Sequence, residues 1–484
     1  MFRTADVEVL TRKESSTASI SPRAVRVRAR AGAEGMADGS SGGHAALDRT
    51  NVTPRPPLPR HHLAQRLRSG LLLLLNLGLL FVLVNLLWVV PVGSQDLFGL
   101  YYAPLFPLVI MLWFWTAFVA YCERRHVRYE VCFSSEDQKY LMHSDKLFLV
   151  SNVLTAIVLG SGVAFLFHSS VNNPYLASYQ PPILYLGLLA FVLNPTNVLF
   201  KETRLFFSST AWRVFTPLRT VTWADFLLAD VLTSLAKPLS DTERAVCHLM
   251  TGPVMSPIEE RCGSASLVIP VGLALPYLWR FVQCIRVYLD TGARPQIWNA
   301  VKYSTAFPVI ILSSMQYHVD RDQWHGFYRP LWLAAALLNS CYSYFWDVER
   351  DWEIQLFSVA AKQRSLVATP VFQSQLLYPK PFYLYLMSSN FLLRLAWTHK
   401  LSPHLRKNQL MALTFVVLEC FRRFQWLFVR IEVELRKIQA YRPEVGILVP
   451  PAGHKQQQLH HPHSDELAPG EWGPAGEIQL EDRL

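Results

Sequence analysis

Charged side chains are scarce in this sequence. Asp, Glu, Lys and Arg together make up 17% of its 484 residues, whereas a soluble domain averages about 25%. Hydrophobic residues reach 51%, and they concentrate between Leu67 and Leu435 because both ends of the chain are polar. A soluble protein with such a middle would expose too much apolar surface to water. The composition therefore excludes a soluble globular protein and indicates an integral membrane protein.

Familiar enzyme and cofactor motifs are also missing. The sequence contains neither the G-x-x-x-x-G-K-[ST] phosphate-binding loop nor the H-E-x-x-H zinc motif. Its seven cysteines include no C-x-x-C pair, so neither a zinc site nor a redox motif is indicated. These absences argue against ATP-driven pumping and membrane proteolysis. We expect a chain that is not an enzyme, with no catalytic residues, no metal and no cofactor.

The two ends of the chain lack apolar runs long enough to build a core. Residues 1–66 are rich in Ser, Ala, Arg and Gly, and residues 437–484 turn to Pro, His, Gln and Glu. Such compositions are typical of disordered segments. We therefore predict disordered cytosolic tails over 1–66 and 437–484. The clustered arginines of the first tail would also suit a transit peptide. The acidic residues in the same tail depart from that pattern.

Between the tails, ten segments have the apolar length that a membrane helix needs, which is about 20 residues. The first four are nearly uncharged and lie at residues 69–91, 101–121, 146–168 and 181–200. Six less purely apolar segments follow at 223–247, 265–288, 297–318, 328–348, 382–400 and 409–435. The predicted fold class is all-α: a polytopic transmembrane bundle with four helices over 67–200 and six over 201–436.

The basic residues indicate topology rather than a nucleic-acid partner. Although the net charge is +10, Lys and Arg lie in short clusters between apolar runs, not on one soluble face. The clusters precede the first segment and occupy the second and fourth loops, whereas the first and third loops have none. Because cytosolic loops are enriched in Lys and Arg, both termini are predicted to be cytosolic. Lys400, Arg406 and Lys407 conflict with this scheme, which places them outside.

Three arginines lie at membrane depth in the last two segments: Arg394, Arg422 and Arg423. Exposing each of them to lipid would cost about 2.5–3.5 kcal/mol, so they must face protein or water. A guanidinium presents a planar fork of donors that suits an oxyanion. The alternative is structural pairing with acids such as Glu419 and Glu432, and spacing alone leaves both interpretations open.

Other polar residues in the same bundle could complete an anion site. Asp230 and Asp347 lie inside apolar segments and could balance the arginines when the site is empty. Asp351 shares a helical face with Asp347 through its i, i+4 spacing, but its place near a helix end predicts exposure to solvent. Lys302 next to Tyr303 offers two donors, yet a lysine near a helix start is also typical of an interfacial anchor.

At these residues the sequence resembles the EXS domain of the phosphate exporters related to the xenotropic and polytropic retrovirus receptor. The shared motifs follow the family's order over residues 193–436. They are Leu193-Asn-Pro-Thr196, Trp223-Ala-Asp225 through Ser234-Leu235, Leu278-Trp-Arg-Phe-Val-Gln-Cys-Ile-Arg286, Asn299 to Thr305, Ser343-Tyr-Phe-Trp-Asp347, Leu393-Arg-Leu-Ala-Trp397 and Glu419 to Trp426.

The resemblance implies a homodimer in the lipid bilayer whose chains each have ten membrane helices, the last six surrounding a phosphate pathway. Carried over motif by motif, it implies that inorganic phosphate is bound by Asp230, Thr233, Lys302, Tyr303, Asp347, Arg394, Trp397, Arg422 and Arg423. Thr233 stands where the family usually has Asn, and its hydroxyl can still donate a hydrogen bond.

Cys247 and Cys262 lie close together in a loop that the topology places on the non-cytosolic side. An oxidising compartment would favour a disulfide there. From the residues alone, Cys247 and Cys262 could form a disulfide or remain two free thiols. The resemblance implies the disulfide because the family carries two cysteines in this region.

The resemblance also shapes the expected function and location. The family's regulatory SPX domain does not fit into the first 60 residues, which are predicted to be disordered, so regulation by inositol pyrophosphates is not expected. EXS proteins without SPX resemble the yeast Golgi protein named for its ER-retention defect, which implies a Golgi membrane. A plasma-membrane or organellar-envelope location stays open. The sequence therefore predicts a phosphate transporter, with a non-transporting Golgi scaffold for glycosyltransferases as the alternative.

Overall fold

The computed structural model describes residues 60–257, 262–263, 266–354, 377–402 and 409–442, so most of both predicted tails lies outside it. Regular structure in these ranges is entirely helical, which confirms the all-α prediction for them. The helices are α1 Arg60–Val89, α2 Val92–Tyr102, α3 Leu105–Arg124, α4 Ser135–Gln138, α5 Ser144–Ser170, α6 Pro174–Leu193, α7 Lys201–Phe215, α8 Trp223–Ser234, α9 Ala236–Thr251, α10 Val268–Thr291, α11 Pro295–Ser304, α12 Ala306–Met315, α13 Arg321–Gln323, α14 Arg329–Trp346, α15 Lys380–Arg394 and α16 Gln409–Tyr441.

Five of the described helices are long and apolar enough to cross a membrane. These spans are Leu67–Val89, Leu105–Arg124, Ser144–Ser170, Pro174–Leu193 and Val268–Thr291. They correspond to the first four predicted segments and to the sixth. The chain is thus an integral membrane protein of several apolar helices, and the count of ten stays a prediction.

Two segments predicted as single helices are each broken into two. The segment 223–247 becomes α8 and α9, which meet at Leu235, and the segment 297–318 becomes α11 and α12, which meet at Thr305. A proline follows each break by three residues, Pro238 and Pro308. Its ring would clash with the carbonyl four positions earlier, so the preceding helix must end. Both prolines were visible in the sequence, and the prediction of unbroken helices was wrong there.

Two hydrophobic clusters hold the bundle together. One joins α1, α2, α5 and α6 around Phe98, Tyr101 and Phe165. The other joins α3, α8, α15 and α16 around Phe118 and Trp426. Because α16 packs against α3 on one side and against α8 and α15 on the other, it forms a wall shared by the early and the late helices. Side chains near the middle of α16 are therefore surrounded by protein.

The connection between α6 and α7 is organised by one buried arginine. The Arg204 guanidinium donates to the backbone carbonyls of Phe191, Asn194, Thr196, Val198 and Leu199. These include carbonyls at the end of α6 that lack a partner within the helix. Arg204 thus fixes the start of α7 against the end of α6.

Candidate functional site

The carboxylate of Asp230, on α8, is the centre of one group of buried charges. Its Oδ1 accepts hydrogen bonds from Arg280 Nε on α10 at 2.9 Å and from the Tyr303 hydroxyl on α11 at 2.5 Å. Its Oδ2 accepts from Arg423 Nη1 on α16 at 2.9 Å. Asp230 is 1% exposed. Both carboxylate oxygens are therefore engaged by donors from three different helices.

The remaining donors of Arg423 reach the end of α8. Its Nε donates to the Ser234 hydroxyl and its Nη2 to the Thr233 hydroxyl, both at 3.1 Å. Thr233 in turn donates to the Asp230 carbonyl at 2.7 Å. The guanidinium also lies 4.5 Å from the ring centroid of Trp426. All three nitrogens of this fork are thus held by the last turn of α8.

A second group of charges surrounds Asp347, which directly follows α14 in a π-helical turn, Asp347–Asp351. Its Oδ2 accepts from Arg394 Nη2 at 2.6 Å, from Arg394 Nε at 3.1 Å and from Asn390 Nδ2 at 3.0 Å. Arg422 Nη1 approaches the same oxygen at 3.4 Å. The other oxygen, Oδ1, is buried and has no partner among the described residues.

Glu419 connects the two groups. Its carboxylate accepts from Arg422 Nε at 2.8 Å and Arg422 Nη2 at 2.7 Å, and from the Ser234 hydroxyl at 2.7 Å. The contacts run without interruption from Asp230 through Arg423, Ser234, Glu419 and Arg422 to Asp347. We call this set, together with Arg280 and Arg394, the charge network.

Lys302 lies beside this network without joining it. It is 7% exposed, and its Nζ makes no ion pair or hydrogen bond to any side chain in the described ranges. The ammonium lies 4.3 Å from the ring centroid of Tyr303, which binds Asp230, and 5.6 Å from that of Trp346, which precedes Asp347. Lys302 is therefore a buried cation placed between the two carboxylate groups.

The site carries more positive than negative charge. The network and its immediate neighbours contribute five cations, Arg280, Lys302, Arg394, Arg422 and Arg423, against four carboxylates, Asp230, Asp347, Asp351 and Glu419. The difference, five minus four, is one positive charge. Uncompensated charge is costly at membrane depth, so this excess favours a bound anion. A metal site is not favoured, since no group of metal-binding side chains occurs in the described part of the chain.

The structure brings most of the predicted site residues together. Asp230, Thr233, Tyr303, Asp347, Arg394, Arg422 and Arg423 are in direct contact through hydrogen bonds, and Lys302 lies next to them. Trp397 is outside this group: its Nε1 donates to the Ser340 hydroxyl at 2.9 Å, and that hydroxyl donates to the Arg394 carbonyl at 3.3 Å.

Two expectations about the acids need correction. Asp351, predicted to face solvent, is half-buried and accepts a hydrogen bond from Trp426 Nε1 at 3.1 Å. Glu432 does not pair with the arginines at membrane depth, since its carboxylate binds the Tyr383 hydroxyl and the Leu377 amide. Glu419 does pair with Arg422. The two interpretations of the arginines, pairing with acids and a cluster suited to an anion, therefore apply to one site.

Arg280 is the main residue that sequence reasoning missed. It lies in the middle of the predicted segment 265–288. A charge at that depth needs a partner, as the charge of Arg394 does. Its Nη1 donates to Gln283 Oε1 at 2.6 Å, and Gln283 Nε2 donates to the Asp225 carbonyl at 3.3 Å. Ser234 and Asn390 carried no such signal, because small polar residues are common in membrane helices.

Cys247 on α9 and Cys262 are joined by a disulfide, with their Cα atoms 5.8 Å apart. The other five cysteines are free, and Cys341 is the exposed one.

Comparison with known proteins agrees with this architecture. The sequence profile of the EXS family matches residues 98–435. SPX and EXS domain-containing protein 1 of Dictyostelium discoideum is 29% identical over 339 residues, which are 67% of this chain and 36% of that protein. The Xenopus laevis xenotropic and polytropic retrovirus receptor 1 homolog is 31% identical over 355 residues, 69% of this chain and 49% of that protein. Human solute carrier family 53 member 1 is 32% identical over 306 residues, 58% and 42% respectively.

The chain thus spans less than half the length of these relatives. The profile match begins in α2 and ends in α16, so it includes every residue of the charge network and Lys302. Because this match covers more than half of the sequence, the chain belongs to the EXS family.

Proposed function

We propose that this protein moves inorganic phosphate across its membrane through the charge network. The observation that carries the proposal is the excess of one positive charge, with five cations in a buried site formed by α8, α10, α11, α14, α15 and α16. A phosphate at neutral pH carries between one and two negative charges and would offset that excess. The name solute carrier, borne by a relative, supports a transport function.

Donors that the protein leaves unused would receive the anion first. Lys302 has no acceptor in the described part of the chain, and Arg394 uses Nε and Nη2 on Asp347 while Nη1 has no described partner. Phosphate oxygens accept charge-assisted hydrogen bonds from such groups. The anion would begin to bind here without breaking an existing ion pair.

The carboxylates have a separate role in this proposal. Asp230 and Asp347 hold the arginines in a fixed orientation and offset part of their charge while the site is empty. Phosphate then competes with these carboxylates for the same forked donors. Because one acceptor replaces another, no guanidinium loses all its partners. Such a loss would be strongly unfavourable at this depth.

The finer parts of the proposal are ten membrane helices, cytosolic termini, a homodimer and a Golgi membrane. The helix count rests on the apolar segments and the termini on the basic clusters, whereas the homodimer and the Golgi membrane rest on the family resemblance. Immunofluorescence against Golgi markers and the mass of the purified protein in nanodiscs would test location and dimerisation.

Lys302 provides the sharpest test, because replacing it leaves the three carboxylates of the charge network with their arginine partners. We expect Lys302→Met protein in liposomes to transport phosphate about tenfold more slowly, corresponding to about 1.4 kcal/mol of lost binding or barrier stabilisation. Lys146→Met, at an exposed position on α5, is the matched control and should keep the parental rate.

A thermal unfolding curve for each protein separates loss of transport from loss of folding. Parental flux through well-folded Lys302→Met protein would refute the role of the excess charge. If no variant and no parental protein moved phosphate, the scaffold alternative would gain support instead.

A further inference from the structure

Helix α7 exposes an apolar edge that the described part of the protein covers only in part. Leu205, Trp212 and Phe215 are 41%, 68% and 46% exposed. At 100° per residue they fall within about 80° of one another around the helix. Leu218, just beyond the helix, is 79% exposed. With 15 residues, α7 is too short to cross a bilayer.

The other sides of α7 differ in character. Glu202 and Ser209 are exposed and share a neighbouring, polar edge. Arg204, Thr210 and Val214 are buried against the protein. Apart from Phe207, which is 49% exposed on a further side of the helix, the exposed surface is divided lengthwise into an apolar and a polar edge. Such a division is typical of helices that lie in a membrane interface.

The depth of α7 is indicated by its contact with a membrane span. The Phe215 ring packs on Trp279 of α10 with centroids 4.6 Å apart. Trp279 is twelve residues from the end of α10 at Thr291, about 18 Å along the helix at 1.5 Å per residue. The cation at this end of α7, Arg213, is paired with Asp225 at 2.8 Å. The end of α7 thus reaches the level of the apolar part of α10 with its charge neutralised.

The apolar edge also continues a lipid-facing surface. On the preceding span, α6, Ile183, Leu186, Leu189 and Leu193 are 56–67% exposed. Arg204 ties the start of α7 to the end of this span. Acyl chains that cover α6 would therefore meet α7 directly.

From these observations we propose that the edge formed by Leu205, Trp212 and Phe215 is embedded among the acyl chains of the cytosolic leaflet. Glu202 and Ser209 then face the aqueous side. The occupant is lipid rather than a protein because the edge lies at the depth of a span and adjoins its exposed surface.

Placement of α7 in the leaflet would tie the lipid to the charge network. Arg213 holds Asp225, the Asp225 carbonyl accepts from Gln283, and Gln283 accepts from Arg280. A shift of α7 would therefore reach Arg280 through three contacts.

The test uses full-length protein in nanodiscs and a fluorescent bimane on a single cysteine. Cys341→Ser removes the exposed native thiol, and the other free cysteines are buried. Trp212→Cys and Leu205→Cys place the label on the apolar edge, and Ser209→Cys on the same helix is the matched control. Phosphatidylcholine brominated in its acyl chains quenches labels at acyl depth, whereas iodide quenches labels in water.

We expect brominated lipid to reduce the fluorescence of both apolar-edge labels about twofold, because the apolar face of a membrane-embedded amphipathic helix contacts acyl chains. The Ser209→Cys label should respond mainly to iodide. Iodide quenching of the apolar-edge labels would overturn the proposal. Protection from both quenchers would also overturn it and would identify a protein partner or a second copy as the occupant. Neither readout depends on phosphate transport.

Discussion

Ser234 and Glu419 are 185 positions apart in the chain, yet the Ser234 hydroxyl donates a 2.7 Å hydrogen bond to Glu419 Oε1. The same hydroxyl accepts from Arg423 Nε at 3.1 Å. One small side chain at the end of α8 therefore joins the Asp230 group to the Asp347 group. The break between α8 and α9 follows immediately at Leu235, so this contact lies where the backbone changes direction.

The first prediction concerns this connection. Ser234→Ala removes the shared hydroxyl and leaves Arg423 Nε without its acceptor, which costs about 1–3 kcal/mol for a buried donor. We expect a lower unfolding temperature and slower phosphate flux in liposomes. Ser314→Ala, whose hydroxyl bonds only the Ile311 carbonyl of its own helix, should change neither. Unaltered flux in Ser234→Ala would show that the two groups act independently.

The second prediction separates charge pairing from transport. Asp230→Asn leaves the buried Arg280 and Arg423 without their carboxylate, and removing one partner of a buried pair typically costs about 3–5 kcal/mol. Adding Arg280→Gln should recover part of the lost stability because it removes an unpaired cation, while phosphate flux stays low. The measurement compares the unfolding temperatures of the two single variants and the double variant.

A double variant that was the least stable of the three would contradict the second prediction. Arg286→Gln serves as its control, since Arg286 pairs with Asp290 on the same helix and is more exposed than Arg280. Its loss should have a small effect, as for other surface ion pairs.

Arg204 provides a third prediction, which concerns stability. Arg204→Lys offers one ammonium in place of a planar fork and cannot reach the five carbonyls that Arg204 binds. We expect it to lower the free energy of unfolding by about 1–3 kcal/mol, because buried carbonyls lose their donors. Arg219→Lys, at an exposed position after α7, should have no effect. Equal unfolding temperatures for both variants would refute the organising role of Arg204.

The disulfide provides a fourth prediction. Cys247 and Cys262 are separated by 15 positions, and closing a loop of this length stabilises a protein by about 3 kcal/mol in the chain-entropy account. The Cys247→Ser, Cys262→Ser double variant should therefore unfold at a lower temperature than the oxidised parent. Peptide mapping without reductant should recover the two cysteines as one linked pair. Two free thiols in protein from its native membrane would rule the bridge out.

Topology gives the fifth prediction. Clustered Lys and Arg before the first span and in the second and fourth loops predict that both termini, and α7, lie on the cytosolic side. In sealed vesicles with the cytosolic face outward, protease should remove tags from both ends. Protection of either tag would break this scheme and move α7 to the other leaflet.

The sequence by itself determined the class of the protein and the depth of its charges. Long apolar segments with few charges can only be membrane helices, and the cost of exposing Arg394, Arg422 and Arg423 to lipid requires that they face protein or an anion. The same argument applies to Arg280, and Pro238 and Pro308 indicate the helix breaks. These features follow from composition and position along the chain.

Only the tertiary structure decided which charges meet. Arg422 and Arg423 are adjacent in sequence but about 100° apart around α16, so Arg423 binds Asp230 while Arg422 binds Asp347 and Glu419. Lys302 lies on α11, three helices after the helix of Asp230 and three before α14, and it forms no ion pair among the described residues. Periodicity fixes the direction of a side chain relative to its own helix. Ion pairing depends on distances of a few ångströms between helices, which only packing sets.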